Sequence, residues 1–214
     1  MTPRAEQKLQ TRQALMQATL GLMDSGRGFG SLSLREVARS AGIVPTGFYR
    51  HFRDMDELGL ALVAEVGETF RNSLRQVRRN EFERGGIVDA STRIFLDTVT
   101  ANRDLFLFLA REQYGGSQAV RQAIAILRQR ITEDLAHDLR LMNRMPQLDD
   151  PGLDLVSDLV VKTVFATLPE LMDPLDETLP EHMHPASKII QQLRFIMVIG
   201  KHWTGPGHQY LSES

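Results

Sequence analysis

The chain has 214 residues, 42% apolar and 24% charged, with a formal net charge of −2 and no cysteine. That length and apolar content suffice for a buried core in one large or two small domains and exclude a disordered tail. The missing cysteines exclude disulfides, thiolate nucleophiles and cysteine metal sites. With no signal-peptide run at the start and no apolar stretch long enough to span a bilayer, they lead us to expect a cytoplasmic protein.

Nearly every segment carries a helical period, and none alternates as a strand would. The first helix is expected over Arg4 to Met23, with Leu15, Thr19 and Leu22 on one face, and SGRGFG at 25–30 breaks it. Ser33 and Glu36 then form an S-x-x-E capping box that starts a second helix, from which Val37 and Ala38 face inward. Ala41-Gly42 supplies a turn with positive φ, Ile43 plugs the gap, and Pro45 opens a third helix to about Phe52. A long fourth helix starts after Arg53 and runs to about Arg79, its first turn acidic through Asp54, Asp56 and Glu57, as the helix dipole favours. After a break at 81–86 come helices at Ile87 to Ala101, Asp104 to Tyr114, Ser117 to about Met142, Gly152 to Met172 and Pro185 to Trp203. The tail from Thr204 is expected to fray. The fold class is therefore all-α. We expect an N-terminal three-helix helix-turn-helix domain (1–53), a larger helical domain for ligand binding and dimerisation (54–204) and a flexible tail (205–214).

The segment SLSLREVARSAGIVPTGFYRHFR at 31–53 carries most of the functional information. In its second helix Phe48 and Phe52 share a face, which leaves Thr46, Gly47, Arg50 and His51 free for a partner. A small, polar and cationic outer face is what phosphate and base-edge contacts need. Charge agrees: residues 1–53 hold eight Arg or Lys against three acids, a balance of +5, so residues 54–214 carry −7. A recognition helix of this size reads few base pairs, so a symmetric dimer on two half-sites of double-stranded DNA is expected.

Signs of catalysis are weak, and no enzyme is expected. His182 and His184 sit in a Pro-rich connector without metal-ligand spacing, Asp149-Asp150 and Asp173 lie beside prolines as helix caps, and GRGFG lacks the rest of a phosphate loop. No metal site and no catalytic cofactor are expected. The middle helices instead supply many apolar side chains, among them Phe70, Leu74, Phe95, Phe106, Phe108, Phe165 and Leu168. Most must be core, but together they suit a hydrophobic channel between helices.

The first helix, the 31–52 segment and DELGLALV at 56–63 resemble the TetR-type regulators. The likeness is closest to the DesT/FabR branch of fatty-acid biosynthesis repressors, whose helix-turn-helix also reads LSLREV, AGI and FYRHF. A weaker likeness continues through FLAREQYGG and LRFIMVIGKHW. The resemblance implies a ligand-responsive repressor of unsaturated fatty-acid synthesis genes that binds a palindromic operator and senses long-chain acyl-CoA. The alternative is a TetR-type repressor of an efflux or catabolic operon answering to another hydrophobic ligand, and a more distant rival is an acyl-binding or hydrolytic protein without DNA function. By the same resemblance Tyr49 and His51 meet phosphates, and Thr46, Gly47 and Arg50 approach bases, with Arg35 also in the DNA interface. Ser33 either caps its helix or touches a phosphate. Arg53 takes over from the lysine that many such regulators carry where this chain has Met55. The implied acyl chain lies among the seven apolar residues above. Arg111, or Arg71, Arg75 and Arg78, hold the coenzyme phosphates or else are solvated or paired with neighbouring acids. The homodimer forms through the last two long helices, along Val160, Val161, Val164 and Leu168 on one and Ile189, Leu193, Ile196, Met197 and His202 or Trp203 on the other.

Overall fold

The structure, a computed structural model, describes residues 3–79, 87–143, 145–173 and 178–203, without the side chains of 74–79, 87–88 and 201. The expected break at 81–86, the tail from Thr204 and the side chains of Leu74, Arg75 and Arg78 lie outside the described residues. Within them the regular structure is helical and no strand occurs. The helices are α1 (Pro3–Asp24), α2 (Leu34–Ser40), α3 (Pro45–Phe48), α4 (Met55–Arg79), α5 (Ile87–Ala101), α6 (Arg103–Glu112), α7 (Gln118–Leu141), α8 (Asp150–Met172) and α9 (Pro185–His202).

The ends of these helices follow from local chemistry. Ser33 caps α2, Asp149 accepts the Gly152 N–H at 2.9 Å to cap α8, and Pro45 and Pro185 open α3 and α9, where a missing N–H costs nothing. α7 stops at Asn143, whose φ of 48° is left-handed, a conformation Asn tolerates better than most residues. α3 is shorter than expected: regular α-helix ends at Phe48, and the chain continues to Phe52 as turns in which His51 and Phe52 both donate to the Phe48 carbonyl.

By packing, the chain falls into two compact units, residues 1–79 with 95–127 and residues 80–94 with 128–214. The head-and-body division expected at Arg53 does not coincide with this split, since residues 54–79 and 95–127 pack in one unit with residues 1–53. In the first unit α1 packs on α2, α4 and α6, α2 on α3, and α4 on α6. Its core holds Leu15, Met23, Val37, Phe48, Phe52, Leu58, Leu62, Phe106, Phe108 and Leu109, all nearly or fully buried. Each such side chain contributes roughly 1.5–3 kcal/mol on burial. Met23, rather than the half-buried Leu22, completes the inner face of α1, because it stands a full i+4 step from the buried Thr19.

In the second unit α8 packs along α9. Leu139, Met145, Leu153 and Val156 form its core, with Leu135, Leu148, Val160, Ile196 and Met197 packed against them. Ion pairs lie around it: Arg140 to Asp150 and Asp154 at 2.7 and 2.6 Å, Lys188 to Glu170 at 2.9 Å, and Arg194 to both oxygens of Asp89 at 2.6 Å. The residues expected on a dimer face divide here, with His202 and Trp203 exposed and Val164 half-buried. Val161, Leu168, Ile189 and Leu193 are buried within the unit, and Val160, Ile196 and Met197 are packed on its core. On these two helices and just after them, the large apolar side chains left exposed are Leu155 and Leu159 of α8 and Phe195, Val198, Ile199 and Trp203 at α9. Both helices carry two apolar faces, and their period alone does not say which one turns inward.

Candidate nucleic-acid interface

The 31–53 segment is assembled by short-range bonds. Glu36 donates its backbone N–H to Ser33 Oγ at 3.3 Å, while its carboxylate takes the Ser33 N–H at 2.9 Å and the Ser33 hydroxyl at 2.7 Å. Arg27 closes on the same carboxylate at 2.9 Å. The Arg27 guanidinium first, and the Ser33 bonds next, hold the Glu36 carboxyl down at about 2. The Ser33 hydroxyl is thus committed to its helix. Gly42 makes the turn with φ of +71°, and Ile43 donates back to Ala38 at 2.9 Å.

Phe48 and Phe52 pack inward at a tilt, with centroids 5.7 Å apart, and are 0% and 1% exposed. Anchoring them turns the other side chains out: Arg35, Thr46, Tyr49, Arg50 and Arg53 are exposed, and Gly47 and His51 are half-buried. Burial pushes the His51 imidazole below its ordinary 6.5, and the charges of Lys8, Arg12 and Arg50 push it the same way. Its Nδ1 is buried and lacks a hydrogen-bond partner. A neutral ring of this kind, protonated on its outer nitrogen, can donate to a phosphate without carrying charge. Arg53 is engaged by Asp54 at 3.1 Å and its N–H by Glu57 at 2.6 Å, so a phosphate there would compete with a carboxylate. Asp54 in turn accepts the Glu57 N–H at 2.8 Å and caps α4.

Sequence reasoning missed Arg12 as part of this site. From α1 it donates to the His51 carbonyl at 3.0 Å and lies over the Phe52 ring at 4.2 Å, which fixes the end of the recognition segment. The contact spans 39 residues, so no local pattern announces it. Also missed was Glu112, which is 2% exposed and accepts the Phe29 N–H at 2.9 Å. Its neighbour Arg111 donates to the Met23 carbonyl at the end of α1. These two side chains at the end of α6 tie down the connector between α1 and α2.

The residues expected around a ligand are only partly brought together. Phe70, Phe95 and Phe106 form a three-ring cluster, with centroids 5.3 Å (Phe70 to Phe106), 6.0 Å (Phe70 to Phe95) and 6.4 Å (Phe95 to Phe106) apart. A hydroxyl pair, Ser73 and Thr98 at 2.7 Å, joins the same two helices about one turn along from Phe70 and Phe95. Phe108 is not in this cluster; it meets Phe29 edge-on at 5.8 Å. Phe165 and Leu168 are buried in the other compact unit. Of the arginines considered for phosphates, Arg71 pairs with Glu68 at 2.7 Å and Arg111 holds α1. His184 contacts the Leu179 carbonyl at 2.7 Å, and His182 is exposed. Among the described residues no group of three metal-ligand side chains occurs, and no helix is long and apolar enough to cross a membrane.

Residues 16–62 match the family model of bacterial regulatory proteins of the tetR family, and residues 85–199 match that of the tetracyclin repressor-like C-terminal domain. A solved structure from Syntrophomonas wolfei, described as a TetR-family transcriptional regulator, aligns with a TM-score of 0.69 at 13% identity, over 89% of this chain and 95% of its own. FadR of Bacillus halodurans, a fatty acid degradation regulator, aligns with a TM-score of 0.57 at 13% identity, over 92% and 96%. NalD of Pseudomonas aeruginosa, the secondary repressor of the MexAB-OprM multidrug efflux pump, aligns with a TM-score of 0.57 at 17% identity, over 89% and 96%. At such identities these structures share the fold.

Proposed function

The chain belongs to the TetR family of bacterial DNA-binding regulators, and on that premise we propose that it is a homodimeric repressor of unsaturated fatty-acid synthesis genes responding to long-chain acyl-CoA. The observation that carries the ligand class is a contrast in burial. Phe70 and Phe106 are buried, Phe95 stacking on the first and meeting the second edge-on, whereas Glu65, Glu68, Asp97 and Glu170 are exposed and buried Asp138 belongs to the other compact unit. A pocket for aromatic cations would need carboxylates turned inward, while an acyl chain asks only for apolar wall. Buried Glu112 gives one oxygen to the Phe29 N–H, and its other oxygen, buried without a hydrogen-bond partner, lies against Gly115. The likeness of LSLREV, AGI and FYRHF to the fatty-acid branch supports the same reading.

In this reading Arg35, Thr46, Tyr49, Arg50 and His51 form the DNA face, with Ser33 and Arg53 acting chiefly on their own helices. The exposed apolar face of α8 and α9 is covered by a second copy, which sets two heads on one palindrome. Ligand shifts DNA affinity only to the extent that it binds one arrangement of the heads better than the other. The test is titration onto a palindromic duplex from the gene's own upstream region, with saturated or unsaturated long-chain acyl-CoA and a free coenzyme A control. We expect a shift of about tenfold or more, roughly 1.4 kcal/mol of coupling. DNA binding that ignores every thioester would sink the ligand assignment and favour the efflux or catabolic alternative.

A further inference from the structure

The recognition segment contains one residue that its cationic character does not explain. Val44 occupies the N-cap of α3, a position that prefers a side-chain oxygen, and it makes no capping bond. It is 67% exposed, and between residues 10 and 59 only Tyr49 is another large apolar side chain left so open. A branched apolar group there stabilises neither the helix nor the core.

Gly47 is the second unexplained residue. A Cβ built on it would meet Ile43 at 3.8 Å and Val44 Cγ2 at 3.9 Å, which is ordinary contact, and its φ is not left-handed. Nothing inside the protein requires glycine at this position, although glycine is a poor helix former. The same distance places a Val44 methyl beside the bare backbone of Gly47, so the two make a shallow apolar step on the outside of α3. The exposed side chains of the same segment include cationic Arg35, Arg39 and Arg50 and polar Thr46, which favours a polyanion over an apolar protein surface as the occupant. In the DNA major groove the apolar group presented on a base edge is the thymine C5-methyl.

We propose that Val44, given clearance by Gly47, is a specificity-determining residue that packs against a thymine methyl group in each operator half-site. This rests on DNA binding through the 31–53 segment and not on the identity of the effector. Removing one well-packed methyl weakens binding about fourfold, and removing the symmetric pair does so about fifteenfold.

The experiment is to select a duplex with the full-length protein from a randomised pool, then replace its thymines by deoxyuridine in symmetric pairs. Each replacement deletes the methyl and leaves the base pair intact. We expect one pair to weaken the wild type about fifteenfold, Val44→Ala to lose that sensitivity while melting at an unchanged temperature, and Val44→Thr, which keeps a methyl, to retain most of it. A selected duplex whose every methyl is dispensable to the wild type overturns the inference, as does a Val44→Ala protein that remains equally sensitive. Failure to select any duplex would overturn DNA binding itself, an outcome distinct from either.

Discussion

In the recognition segment the two phenylalanines are inside and the cations outside: Phe48 and Phe52 are sealed in, while Arg35, Arg50 and Arg53 stand in solvent. The α8/α9 pair also seals in its aliphatic side chains, among them Val156, Leu168, Ile189 and Leu193, yet still shows Leu155, Leu159, Phe195, Val198 and Ile199 on the outside. Once helices have satisfied one apolar face against each other, a second apolar face has no internal use and is best explained by a partner. One region thus presents charge to solvent and the other an apolar surface.

The contrast can be broken most severely at the buried rings. Phe48→Ala leaves a cavity beneath the recognition segment and is expected to cost about 3–5 kcal/mol, read as a lower melting temperature and loss of DNA binding together. The opposite pattern is expected at Phe195. Because it is exposed, Phe195→Glu should shift the stability of a single chain by less than about 0.5 kcal/mol. It should nonetheless convert the protein to single-chain mass in sedimentation and weaken operator binding by about tenfold or more, through loss of the paired half-site. A Phe195→Glu protein that stays dimeric would mean that this face is not the interface.

Arg12 tests whether the recognition segment depends on a contact distant in sequence. Arg12→Ala removes a hydrogen bond to the His51 carbonyl and a cation over Phe52, together about 1–2 kcal/mol, measured by denaturation. Arg12→Lys should restore little of this, since an ammonium matches neither the fork nor the stacked geometry. The smallest effect concerns Glu36. Its folded carboxyl is held at about 2 against an ordinary 4.5, so its contribution is complete above 4.5 and is lost as pH falls from there toward 2. The acid side of the stability curve should therefore be shallower in Glu36→Gln than in the wild type when melts are compared between pH 6 and pH 2.5. The site is exposed, so the change will be small.

Much of the recognition segment was legible because its determinants are adjacent in the chain. The Ser33–Glu36 box, the Gly42 turn, Pro45 and the Phe48–Phe52 pair all act within four residues, and each is found as read. The end of α3 was misjudged, since a four-residue spacing of rings suits a continued helix as well as the turns that carry the chain to Phe52. The aromatic cluster was legible as composition but not as geometry: Phe106 and Phe108 sit two apart on α6, nearly opposite around its axis, so one joins Phe70 and Phe95 while the other meets Phe29.

By itself the sequence determined the all-α class, the helix order and the helix-turn-helix, because capping, turn chemistry and helical period are short-range properties of neighbouring residues. Only the tertiary structure decided which apolar face of α8 and α9 is internal, and that Arg12 braces the recognition segment. It alone decided that Arg111 and Glu112 grip the connector after α1 rather than face solvent or a ligand. Each of these depends on which helix lies alongside which, and a hydrophobic period is the same whatever surface it meets.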